Sequence, residues 1–154
     1  MVCIANSLHH LDPEPVFRQM KRVLCPGGHM LIAEMYRDGQ TETQMTHVHL
    51  HHWLVAVDTV NGVFHRETYR REEIVEMANR LGLSEMRTFD LSDLSDDPKN
   101  PDILAELNPV FDRAIQRAEE HPELQARGER LRKRVQEIGF HSATTLVAFG
   151  KKQG

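Results

Sequence analysis

The segment Cys25-Pro26-Gly27-Gly28, set between an amphipathic run and an apolar one, constrains this chain more than any other feature. Proline cannot continue a helix, and glycine accepts the left-handed backbone that a sharp turn needs. Before it, Val16, Phe17, Met20, Val23 and Leu24 recur at helical spacing, with Arg18, Gln19, Lys21 and Arg22 on the other face. Asp12 offers an N-cap and Pro13 a favoured first helical residue. Two short apolar runs without polar alternation, residues 2–5 and 30–33, flank this helix. They have the pattern of parallel strands buried on both faces. Strand, helix and strand make a βαβ unit with a right-handed crossover, so the chain reads as α/β.

Further elements follow from local signals. Thr41 and Gln44 match a capping box, predicting a helix to about Val60 that Asn61-Gly62 closes. Met45, Trp53, Ala56, Val57 and Val60 form its apolar face. Thr68 is the expected cap of a helix carrying Ile74, Val75, Ala78 and Leu81. Residues 85–91 alternate as a strand exposed on one face. Helices are predicted over 102–118, with Pro109 inside, and over 122–138 before Gly139, and a last strand over 144–150.

A chain of 154 residues suffices for one domain with one core. Apolar residues at 40% and charged residues at 27% fit a soluble protein, and no apolar run reaches the ~20 residues of a membrane helix. The N-terminus lacks the basic flank of a signal peptide, so a cytoplasmic location is expected. A formal charge of −4 argues against a nucleic-acid partner. The basic run at 127–134 reads as a solvated helix face, paired with Glu119, Glu120, Glu123 and Glu137. Cys3 and Cys25 sit beside apolar residues and are expected to be buried, reduced thiols.

The run Asn6-Ser7-Leu8-His9-His10-Leu11, followed by Arg22-Val23-Leu24-Cys25-Pro26-Gly27-Gly28, resembles the second half of class I S-adenosylmethionine-dependent methyltransferases. Tyr69-Arg70-Arg71-Glu72-Glu73-Ile74 with Leu81-Gly82-Leu83 resembles the helix before that family's sixth strand. The resemblance implies a partial Rossmann-like sheet holding the fourth to seventh strands. A helical insertion, about 102–139, stands before the last strand, within a single truncated domain over 1–154. It implies S-adenosylmethionine as cofactor and an unidentified, small-molecule acceptor. The family's glycine-rich loop and ribose-binding acid belong to its first two strands, which these residues do not include. The chain alone is therefore expected to be inactive and not to bind the cofactor. The open edge of its first strand suggests a homodimer, or a partner supplying the missing half.

By the same resemblance, Asn6, Ser7 and Leu8 line one side of the cofactor pocket; otherwise they only shape a turn. His10 is the candidate general base, since imidazole titrates near neutrality. His9 is a candidate substrate contact, and the competing reading is that the histidines only fix the loop. Glu34 and Tyr36, ending the second strand, are further substrate-side candidates. Four of the ten histidines fall within residues 47–52. His47 and His51, four apart, share a helix face, with Asp58 near the same stripe, and are the candidate metal pair, zinc being the ion. A third ligand would come from His65 or His10. His49 falls towards the apolar side. Substrate contact by His47 and His51, or a solvated face, are the competing readings. A non-enzymatic, His-rich metal-binding or interaction module is the alternative function.

Overall fold

The computed structural model describes all 154 residues, Met1–Gly154. The chain forms two compact units, each with its own core, where the sequence suggests one core. The first comprises Met1–Asp38, Tyr69–Leu91 and Thr144–Gly154. The second comprises Gly39–Thr68 and Ser92–Ala143.

The first unit is an α/β sheet of four strands: β1 (Val2–Ala5), β2 (His29–Met35), β3 (Ser84–Leu91) and β4 (Thr145–Lys151). Their order is β1-β2-β4-β3. β1 runs parallel to β2, pairing Val2 with Met30 and Ala5 with Ala33. β4 is antiparallel to both of its neighbours, pairing Met35 with Thr145 and Leu91 with Thr145 on its two sides. The helix α1 (Pro13–Val23) makes the crossover from β1 to β2, with Pro13 in its first turn. It buries Phe17 and Met20. Val23, expected on this apolar face, is 56% exposed, and Leu24 takes its place in the core.

The turn after α1 shows why two glycines follow the proline. Gly27 has φ +73°, and a Cβ on Gly28 would stand 2.7 Å from Leu24 Cδ1. β1 departs from expectation. Val2 and Ile4 pack half-buried against the core while Cys3 and Ala5 are exposed on the other face, the same alternation that β2 shows between Met30 and Ile32, buried, and Leu31 and Ala33. Both cysteines are exposed, correcting the expectation of buried thiols.

The helix α3 (Arg71–Arg80) precedes β3 and buries Ile74 and Ala78. Its start is capped by Glu73, whose carboxylate accepts from the Arg70 N–H at 2.6 Å, and not by Thr68. Thr68 is buried and hydrogen-bonds Nε2 of His52 at 2.9 Å.

Three helices make the second unit: α2 (Glu42–Val60), α4 (Pro101–Arg117) and α5 (Pro122–Ile138). The capping box of Thr41 and Gln44 is present with both of its bonds. α2 is not simply amphipathic. It buries Gln44, Thr46, Val48, Leu50, His51, Trp53, Val55 and Val57, while Val60 and His49, expected on the apolar side, are exposed. Its buried polar groups are satisfied: Gln44 Nε2 donates to Ser92 Oγ and the Ser142 carbonyl, and Thr46 Oγ1 to the Thr43 and Gly139 carbonyls. Trp53 centres the core, stacked on Phe111 at 5.6 Å, with its indole N–H donating to the Leu124 carbonyl. The 92–143 segment closes on itself where the Phe140 N–H donates to the Pro98 carbonyl at 2.7 Å. The basic face of α5 is ion-paired, Lys133 with Glu137 as expected. Its other pairs run to Asp112, Glu129 and Glu42 rather than to Glu119, Glu120 or Glu123. No helix is long and apolar enough to cross a membrane.

Candidate functional site

Parallel pairing of β1 and β2 brings two stretches to one edge of the sheet: the loop leaving β1 and the residues ending β2. The loop starts with Asn6 at φ +45°, a conformation asparagine tolerates better than most residues. Its N–H donates to the Ala33 carbonyl at 2.8 Å. Residues Leu8–His10 then form one turn of 3-10 helix.

Glu34 organises this loop. The side chain is fully buried, and Oε2 accepts from the Ser7 N–H at 3.1 Å and the Leu8 N–H at 2.8 Å. Oε1 lies 2.8 Å from Nδ1 of His9, which is itself buried. A carboxylate can only accept, so Nδ1 of His9 carries the proton. The pair satisfies the rule that a buried charge needs a partner and hydrogen bonds. The ring of His10, which is exposed, lies 4.4 Å from that of His9. Leu8 is fully buried, Ser7 half-buried and Asn6 exposed.

Tyr36 is buried beyond the end of β2 and belongs to a second polar group on the same unit. Burial, followed by the charge of Asp90, pushes its phenol above the ordinary range, so it remains a donor at neutral pH. Asp90 in turn accepts two bonds from Arg71 Nε and one from its Nη2, between 2.9 and 3.1 Å. Sequence periodicity marks none of Asp90, Arg71 or Thr144 as neighbours of Tyr36.

In the helical unit, His47 and His51 do different things. Nδ1 of His47 accepts from the Ala143 N–H at 3.0 Å, and burial holds this imidazole below its ordinary range. His51 instead meets His65, their Nε2 atoms 3.1 Å apart. Nδ1 of His65 donates to Asp58 Oδ2 at 2.6 Å, and Arg117 donates to Asp58 Oδ1 at 2.6 Å. Burial pushes the Asp58 carboxyl up, but the bonds from His65 and Arg117 outweigh it and hold the group below the usual carboxylate range. The seven-residue spacing of Asp58 from His51 places both on one helix stripe, whereas the partnership with His65 depends on the following loop folding back.

The sequence pattern of a family described as a methyltransferase domain matches residues 1–32. Among curated proteins, none matches the chain. Solved structures do. A cyclopropane-fatty-acyl-phospholipid synthase-like protein from Lactobacillus casei aligns with a TM-score of 0.56 and 16% identity, over 97% of this chain and 54% of its own. The YcgJ protein of Bacillus subtilis aligns with a TM-score of 0.51 and 13% identity, over 99% of this chain and 64% of its own. A Bacillus halodurans protein provisionally named a methyltransferase aligns with a TM-score of 0.50 and 14% identity, over 99% and 64%. The chain thus spans from about half to under two thirds of the length of these structures. It has part of the class I methyltransferase fold, with a four-stranded sheet and five helices.

Proposed function

We propose that these residues form the carboxyl-terminal half of an S-adenosylmethionine-dependent methyltransferase with a small-molecule acceptor. The observation that carries this reading is the loop after β1, tied by its Ser7 and Leu8 amides and by His9 to the buried carboxylate of Glu34. It stands at the carboxyl end of a parallel strand pair, where open α/β sheets bind ligands. The partial likeness of the fold to the Bacillus halodurans protein provisionally named a methyltransferase adds support by analogy.

Asn6, Ser7 and Leu8 fit one wall of a cofactor pocket. They are a partial fit, because these 154 residues contain no Gly-x-Gly segment. When bound, the cofactor supplies an electrophilic methyl carbon on a sulfonium. The task of the protein is then to align donor and acceptor and to remove a proton. His10, exposed beside the ring of His9, takes the proton of the acceptor oxygen or nitrogen. His9, held by Glu34, acts as a positioning residue. Tyr36, buried and bonded to Asp90, shapes the acceptor side from behind in this reading.

The second wall, with its glycine-rich loop, comes in this reading from residues outside these 154, in the same chain or in a partner. β1 has a neighbour on one side only, and its outer edge is where such a strand, or that of a second copy, would add. Alone, the 154 residues neither bind S-adenosylmethionine nor transfer methyl groups, and the protein works in the cytoplasm. Titration calorimetry tests this on the chain alone and on the chain extended by the residues encoded in frame before Met1. The expected result is no heat from the first and saturable binding by the second. Micromolar binding by the chain alone overturns the incompleteness, and an extended chain without binding overturns the methyltransferase reading.

A further inference from the structure

We propose that His51 and His65 form a site for a divalent transition-metal ion, zinc foremost, within the helical unit. The donor atoms are the two Nε2 atoms, 3.1 Å apart, on rings set at 89° to one another. A tetrahedral zinc ion with bonds of ~2.0–2.1 Å needs two nitrogens about 3.3 Å apart. The pair is therefore within a few tenths of an ångström of chelating geometry before any ion arrives. A hydrogen bond at this distance puts the N–H of one ring towards the lone pair of the other, and a bound ion would take the place of that proton.

The surroundings prepare His65 for this role. Its Nδ1–H is committed to Asp58 Oδ2 at 2.6 Å, which leaves Nε2 as the lone-pair nitrogen of the neutral ring. A carboxylate on the far nitrogen of a metal-bound imidazole is the usual outer support, fixing tautomer and ring orientation. Asp58 is itself fixed by Arg117 through its other oxygen. Both Asp58 oxygens are thus engaged, one by His65 and one by Arg117, which fixes the carboxylate in place. His51 comes from α2, a rigid element, two helical turns before Asp58. Both imidazoles are largely enclosed, with His51 8% exposed and the His65 side chain 6%. Imidazole donors select zinc, copper, nickel or cobalt over magnesium and calcium. Water completes the coordination. His47, four residues before His51, is not a ligand, because its Nδ1 is bonded to the Ala143 amide.

The test uses the untagged chain with Cys3→Ser and Cys25→Ser, since exposed thiols would compete for the ion. Zinc titration by calorimetry is expected to give one ion per chain. His51→Gln and His65→Gln should each weaken binding at least tenfold, and Asp58→Asn about tenfold by loosening His65. His49→Gln, on the exposed side of the same helix, should leave affinity unchanged. Cobalt added to the chain with all histidines intact should broaden the ring resonances of His51 and His65 before those of His49. This readout stands even where a variant fails to fold. Absence of binding at millimolar zinc, binding that survives His65→Gln, or broadening centred on other histidines overturns the proposal.

Discussion

Replacing Glu34 by glutamine tests whether one carboxylate holds the loop after β1. Glu34 accepts three hydrogen bonds in a fully buried position: from Ser7 N–H at 3.1 Å, Leu8 N–H at 2.8 Å and His9 Nδ1 at 2.8 Å. Glutamine has the same shape, but one of its two ends is a donor. Its carbonyl can keep both backbone amides. Its NH2 then faces Nδ1 of His9, which must accept, so the ring proton moves to Nε2. Bonds to a charged group contribute roughly 1.5–3 kcal/mol each and neutral ones about 1, so three weakened bonds cost about 3 kcal/mol. Removing a buried charge relieves its desolvation and offsets part of this, leaving about 2 kcal/mol. In a chain of this size that lowers Tm by roughly 4–8 °C. Urea unfolding should show a lower midpoint with an unchanged slope. The nitrogen chemical shifts of His9 should report the tautomer change. Glu34→Ala should cost more, since two backbone donors would lose their acceptor. A Glu34→Gln chain within ~0.5 kcal/mol of the parent, with His9 still protonated at Nδ1, would refute the reasoning.

Gly128→Ala should destabilise the helical unit although alanine favours helix. The new Cβ would stand 2.2 Å from Cζ2 of the fully buried Trp53, and overpacking of ~1–3 kcal/mol or more outweighs a propensity gain of ~1 kcal/mol. The loss should shrink in a Trp53→Phe background, and a more stable Gly128→Ala chain in thermal unfolding would contradict the packing argument. His47 should make stability depend on pH with a definite sign. Burial lowers its folded value below 6.5, so the unfolded chain protonates first as pH falls; the contribution is full above about 6.5 and is lost as pH drops through the folded value. His47→Gln should therefore unfold with a flatter pH dependence below 6.5, and equal slopes for the two chains would rule this out.

Much of the fold is legible because its signals are local. The capping box at Thr41, Pro122 at a helix start, Gly139 after α5 and the turn at Gly27 each act within a few residues. Where exposure depends on position in the sheet, the pattern misleads. Cys3 lies in an apolar run that looks doubly buried, yet it stands on the less covered face of the sheet, opposite Leu31. The candidate site is legible only in part. The sequence marks Glu34, His9 and the 6–8 loop separately, but the bonds joining them link residues 25 to 27 apart. His47 and Ala143 meet across 96 residues, and no spacing rule separates His47 from His51 in role.

The closure of the 92–143 segment at Phe140 and Pro98 bears on how the sheet assembles. Leu91 and Thr145 are paired in the β3–β4 ladder, yet roughly fifty residues separate them. Closing so long a loop costs about 2 kcal/mol more than closing a tight turn of a few residues. If α4 and α5 fold first, the Phe140–Pro98 bond draws the two ends together, and the strands meet as though joined by a short turn. The helical hairpin then sets the pace of strand pairing, and loosening its packing slows the zippering of a ladder to which it contributes no residue.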